Sequence, residues 1–157
     1  MPTAPEIRDP AATDPLRTRL AAAGVAVVTV GAGLGLRAVT AGDIAKYGGD
    51  ALYTVLLLTL VVVLAPRVTP LRAATGALAA SWAIEFLQLS EIPGELSRRS
   101  TVGRLVLGST FNPPDLFWYA VGAAAGYAVH TALRSCLDAG GRRGRRAVPD
   151  STPGGHR

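Results

Sequence analysis

The sequence predicts an all-α integral membrane protein, a four-helix bundle with a disordered tail at each end. Three observations predict it. Charges avoid four stretches: seventeen uncharged residues separate Arg19 from Arg37, sixteen separate Asp50 from Arg67, eighteen separate Asp115 from Arg134, and Glu85 alone interrupts the interval from Arg72 to Glu91. A membrane span needs about 20 mostly apolar residues, with flanking polar groups in the headgroup layer, so all four stretches suffice. None alternates a charged face with an apolar one, as the helices of a soluble bundle do. Finally, 157 residues with 49% apolar and 17% charged content fit one domain and lean away from an ordinary soluble chain.

Residues 1–18 contain four prolines and little apolar surface, and read as a disordered N-terminal tail. The transmembrane domain is expected over 19–134, with helices at about 19–38, 48–66, 71–90 and 113–134. The first helix has the look of a secretory signal, with Val39-Thr40-Ala41 resembling a cleavage site. Its length, and Arg37 between the apolar run and that site, favour a retained span. Gly31-Ala32-Gly33-Leu34-Gly35 places small residues one turn apart for close helix packing, and Gly122-Ala123-Ala124-Ala125-Gly126 repeats the device in the last helix. The second helix is bulky throughout and is expected to be the most lipid-exposed.

A loop over 37–50 would put Asp50 at the start of that second helix, against its dipole. Pro66-Arg67-Val68-Thr69-Pro70 is a short turn, and Pro93-Gly94 stops the third helix. Residues 102–111 are too short to span; they are expected to lie in the interface and carry Arg104 toward Glu85. Asn112-Pro113-Pro114-Asp115 has the pattern of a helix N-terminus. Residues 135–157, with Arg142, Arg143, Arg145 and Arg146, read as a basic disordered tail drawn to anionic lipid.

With the N-terminus inside, eleven Lys and Arg residues fall on the cytoplasmic side and five on the other. The positive-inside rule therefore puts both termini in the cytoplasm. One cysteine, Cys136, excludes an intramolecular disulfide, and with two histidines leaves no metal-ligand spacing. No cofactor motif is present. The net charge of +5 sits in tails and loops, without the basic stripe and interleaved aromatics of a nucleic-acid binder.

This topology gathers Arg37, Asp50, Glu85, Gln88, Arg104 and Asp115 at the outer face. Intramembrane charges are functional candidates, because burying them is costly. Glu85 and Gln88 share a helix face, with Ser81 one turn below. Glu85 has two readings, a structural pair with Arg104 or part of a ligand or catalytic site. Asp115 also suits a helix-dipole role. His130 falls about 22 Å along its helix from Asp115 and stands apart.

Gly33-Leu34-Gly35-Leu36-Arg37, Lys46-Tyr47-Gly48-Gly49-Asp50-Ala51-Leu52-Tyr53, residues 82–88, Arg104-Leu105-Val106-Leu107-Gly108-Ser109-Thr110-Phe111, Asp115-Leu116 and Tyr119 resemble a family of small bacterial membrane proteins, the domain of unknown function 2809. The order Glu-x-x-Gln, Arg, Asp, Gly is distantly similar to VanZ-like proteins of the cell envelope. The resemblance implies a four-helix fold of the bacterial inner membrane and singles out the same six residues. Asn112 departs from the acidic residue expected after Thr110-Phe111, which weakens a mechanism built on adjacent carboxylates there.

The expected function is an outward-facing charged pocket for a small polar or lipid-headgroup ligand, in which Arg37 and Arg104 would donate charge-assisted hydrogen bonds. An intramembrane enzyme acting on a lipid-linked substrate is one alternative, with Glu85 or Asp115 as general base; it lacks a nucleophile motif or phosphate-binding loop. Another is a membrane-complex subunit or assembly factor that packs on partner helices through its Gly-rich faces, which would also serve a homo-oligomer.

Overall fold

The computed structural model describes residues 15–90, 95, 98, 100–102 and 110–146, with only the backbone described over 137–146. Among these residues the chain is all-α, with four long helices: α1 Pro15–Val39, α2 Gly42–Leu64, α3 Pro70–Leu87 and α4 Pro113–Arg146. The tails over 1–14 and 147–157, most of the 102–111 segment, Pro93-Gly94 and Arg104 lie outside the described residues.

Local chemistry sets the boundaries. Proline opens α1, α3 and α4, where its fixed φ suits the first turn and its missing N–H costs nothing. Thr69 caps α3 by accepting from the Arg72 N–H at 3.4 Å. The expected loop over 37–50 shrinks to Thr40 and Ala41. Gly42 takes φ +63°, a left-handed conformation open to glycine, and so lets α2 start at once. Asp50 is consequently no helix cap: it lies two turns inside α2, and the capping position belongs to Ala41, which makes no side-chain cap bond. The fourth helix runs past Arg134, where the span was expected to end, as far as Arg146.

Two sets of contacts fix the topology. At one end the Arg19 side chain donates to the Val63 carbonyl at 3.1 Å, and Arg134 donates to the Val68 carbonyl at 2.7 Å. At the other end the Asn112 N–H reaches Glu85, the Trp82 indole donates to the Leu116 carbonyl, and Lys46 pairs with Asp115. The helices therefore alternate in direction. α2 packs on all three others, α4 also on α3, and α1 mainly on α2.

This corrects two expectations. The second helix is the centre of the bundle, burying Thr54, Leu58, Thr59 and Val62, while α1 buries only Ala22 and Thr29. The small residues of α4 do pack closely: a Cβ on Gly122 would strike the Ala51 carbonyl, and one on Gly126 would lie 2.8 Å from Leu58 Cδ1. Those of α1 pack more loosely: a Cβ on Gly33 would reach Leu52 Cδ1 of α2 at 4.0 Å, and nothing lies within 4 Å of one built on Gly31 or Gly35.

The interior joins an apolar core of Ala22, Leu58, Val62, Ala73, Ala74 and Ala77 to buried polar side chains. Ala73, Ala77, Thr54 and Ser81 are fully buried, and the largest fully enclosed side chains are Glu85, Thr54 and Ser81. Many large apolar groups face outward, among them Leu20, Val27, Val28, Leu34, Ile44, Leu64, Phe86 and Phe117. Two helices, α1 and α2, are long and apolar enough to cross a membrane by length and composition. α3 has 18 residues and carries Arg72 and Glu85; α4 has 34 and carries its charge mainly at its far end.

Candidate functional site: a polar cluster at one end of the bundle

Glu85 lies near the C-terminal end of α3, on the face that meets α4, and is 1% exposed. A buried carboxylate is tolerated where donors replace its hydration. One oxygen accepts the Asn112 backbone N–H at 2.5 Å, and the other accepts the Tyr119 hydroxyl at 3.1 Å. Asn112 sits immediately before α4 and Tyr119 two turns into it, so Glu85 ties the end of α3 to the start of α4. The Trp82 indole adds a second tie, to the Leu116 carbonyl at 3.1 Å. One turn below Glu85, Ser81 and Thr54 share a hydrogen bond of 3.0 Å between α3 and α2.

A second group of charges lies beside this one. Lys46 of α2 pairs with Asp115 of α4, and with Asp50 one turn along its own helix at 3.7 Å. Asn112 donates its side-chain amide to the same Asp115 oxygen. Asp115 thus keeps the expected place in the first turn of α4 and also joins two helices. The rings of Tyr47 and Trp118 stack with centroids 5.5 Å apart, and the Lys46 ammonium stands 5.2 Å from the Tyr47 centroid. Tyr53 packs against Tyr119 at 6.3 Å.

The two groups differ in access. Glu85 and Asp115 are buried, whereas the side chains of Lys46 and Asp50 are 43% and 21% exposed. The cluster therefore has a sealed floor and an open rim. Two of its three carboxylates, Asp50 and Asp115, pair with the ammonium of Lys46, and the third, Glu85, is held by Asn112 and Tyr119.

Of the six expected site residues, the structure brings Asp50, Glu85 and Asp115 together. Gln88 follows α3, half-buried, in the turn one helical turn beyond Glu85. Arg37, exposed in the last turn of α1, joins no ion pair among the described residues. Arg104, and with it the expected pair to Glu85, lies outside the described residues. Three participants were not singled out as site residues: Lys46, Asn112 and Tyr119. The Lys46 to Asp50 spacing of four was the available signal, readable once both are placed on a helix. Among the described residues no group of three or more His, Cys, Asp and Glu could hold a metal ion.

Four antiparallel helices, two of them apolar enough to span a bilayer, enclosing a charged cluster at one end, define a small all-α protein of membrane-type composition. A family model described as a protein of unknown function, DUF2809, matches residues 39–123, more than half of the chain, and the chain belongs to that family. The match spans α2, α3 and the first part of α4, the helices that build the cluster. No curated protein and no solved structure matches the chain.

Proposed function

We propose that the chain is a multi-pass protein of the bacterial inner membrane with both termini cytoplasmic. Its outer end forms a pocket for a small polar or lipid-headgroup ligand. The observation that carries this reading is the convergence of Lys46, Asp50, Glu85 and Asp115 from three helices into one cluster whose floor is sealed and whose rim is open. The exposed large apolar side chains support the membrane setting: Leu20, Val27, Val28, Leu34, Ile44, Leu64, Phe86 and Phe117 cover the outside, an arrangement suited to lipid and costly in water. α1, α2 and α3, with 25, 23 and 18 residues, have the lengths of spans, and α4, with 34, is longer than a span needs.

At the rim Lys46 offers an ammonium and Asp50 a carboxylate, one turn apart. A ligand bearing both an acceptor and a donor would meet both partners, as charge-assisted hydrogen bonds require. Glu85, with a donor on each oxygen, holds the frame instead of the ligand. The test is to purify the full chain and a Lys46→Gln, Asp50→Asn double variant from native membranes in mild detergent and to compare the copurifying small molecules and lipids by mass spectrometry. The unmodified chain is expected to retain a component that the variant loses at equal abundance. Identical profiles would overturn the proposal.

A second reading, a subunit whose α1 packs on a neighbouring helix, is favoured by the open space around Gly31 and Gly35. Gly31→Leu with Gly35→Leu would then lower the oligomeric mass in detergent without unfolding the monomer, and an unchanged mass would count against it.

A further inference from the structure

The end of the bundle opposite the cluster carries the reverse charge. The alternating helices bring together Arg17 and Arg19 of α1, Arg67 of the turn after α2, Arg72 of α3 and Arg134 of α4. Arg17, Arg19, Arg67 and Arg72 are exposed. Arg19 and Arg134 donate to the Val63, Pro66 and Val68 carbonyls, so they satisfy backbone groups left over where α2 ends. These partners are neutral carbonyls. Arg19, Arg67, Arg72 and Arg134 form no ion pair among the described residues. Among the described residues, the ion pairs of Lys46 with Asp50 and Asp115 lie with the opposite cluster.

Beside these arginines stand exposed apolar side chains: Leu16 and Leu20 of α1, Leu64 of α2 and Leu71 of α3. A partner that answers both features carries negative charge next to hydrocarbon. An inorganic anion supplies only the first. We propose that this basic end binds anionic phospholipid, with the phosphate among Arg67, Arg72 and the α1 arginines and the acyl chains along the leucines. The inference concerns the opposite end of the molecule from the proposed pocket and does not depend on it.

The experiment uses the full chain in non-ionic detergent. It is mixed with phosphatidylglycerol and phosphatidylcholine of matched acyl chains, and bound lipid is counted by native mass spectrometry. The unmodified chain is expected to prefer phosphatidylglycerol. Because each arginine near anionic headgroups contributes about fivefold, R67Q/R72Q should reduce that preference about 30-fold. Raising ionic strength from about 0.05 to about 0.5 M should also reduce it, since exposed charges are screened. Equal binding of the two lipids by the unmodified chain would overturn the proposal, and so would an unchanged preference in R67Q/R72Q. Displacement of the lipid by millimolar inorganic phosphate would assign the arginines to free phosphate and overturn it too. Should R67Q/R72Q fail to fold, the salt series on the unmodified chain decides, a salt-independent preference being the negative result.

Discussion

Glu85 concentrates the energetics of the cluster in one side chain, because its buried oxygens hold both the part-buried Asn112 N–H and the buried Tyr119 hydroxyl. Glu85→Ala would strand the Asn112 N–H and the Tyr119 hydroxyl together, at about 1–3 kcal/mol for each buried group left unsatisfied. We expect a loss of about 3 kcal/mol in the unfolding free energy measured in detergent. Glu85→Gln keeps one acceptor oxygen and should cost clearly less; equal losses in the two variants would show that the charge, and not the hydrogen bonds, matters. Tyr119→Phe removes one donor and should cost about 1–2 kcal/mol in the same assay. Glu85 was legible in the sequence as the lone acid of an apolar stretch. Its partners were not, because a backbone N–H belongs to every residue and only the fold selects that of Asn112. Lys46 was hidden for a different reason. Gly48-Gly49 reads as loop, yet both residues lie inside α2, and only a helix there sets Lys46 and Asp50 on one face.

At the scale of the helices, contact distance decides which small residues matter. A methyl group on Gly122 meets the backbone carbonyl of Ala51, which cannot rotate away, so α4 would have to move off α2. Gly122→Ala should therefore destabilise the fold by about 1–3 kcal/mol, the usual range for overpacking. Gly31→Ala meets nothing within 4 Å and should leave the monomer unchanged or stabilise it by about 0.5–1 kcal/mol through the restricted unfolded chain. Thermal unfolding of the two variants side by side checks the contrast, and similar shifts would contradict this packing. The sequence displayed both glycine patterns equally well. It could not tell which one packed closely, because that depends on how near each helix comes to α2. The same arrangement explains why bulk was a poor guide to exposure: Leu58 and Val62 are large and central, while Val27, Val28 and Val30 of α1 are exposed.

At the scale of the molecule, the two ends differ in charge and the alternation of helices fixes which residues share an end. Under the proposed orientation Cys136, exposed just beyond Arg134, faces the cytoplasm. A membrane-impermeant maleimide should label it only after the membrane is permeabilised. In a Cys136→Ser background, Asp43→Cys in the exposed first turn of α2 should react in intact cells. Labelling of both positions from the same side would contradict the alternating arrangement. The four-helix architecture was readable because each helix of the fold holds most or all of one of the charge-poor intervals of the sequence. The helix limits were less so, since the Gly42 reversal and the continuation of α4 depend on backbone geometry that composition does not reveal.

The length of α4 has a mechanical consequence. Residues 135–146 prolong the helix by about 18 Å at 1.5 Å per residue, in the same unbroken rod that begins with Asp115. A stiff lever has no joint at which to lose motion. A force or a bound surface that tilts its inner tip would swing the outer tip the opposite way, pulling on the Lys46 bridge at the far side of the molecule.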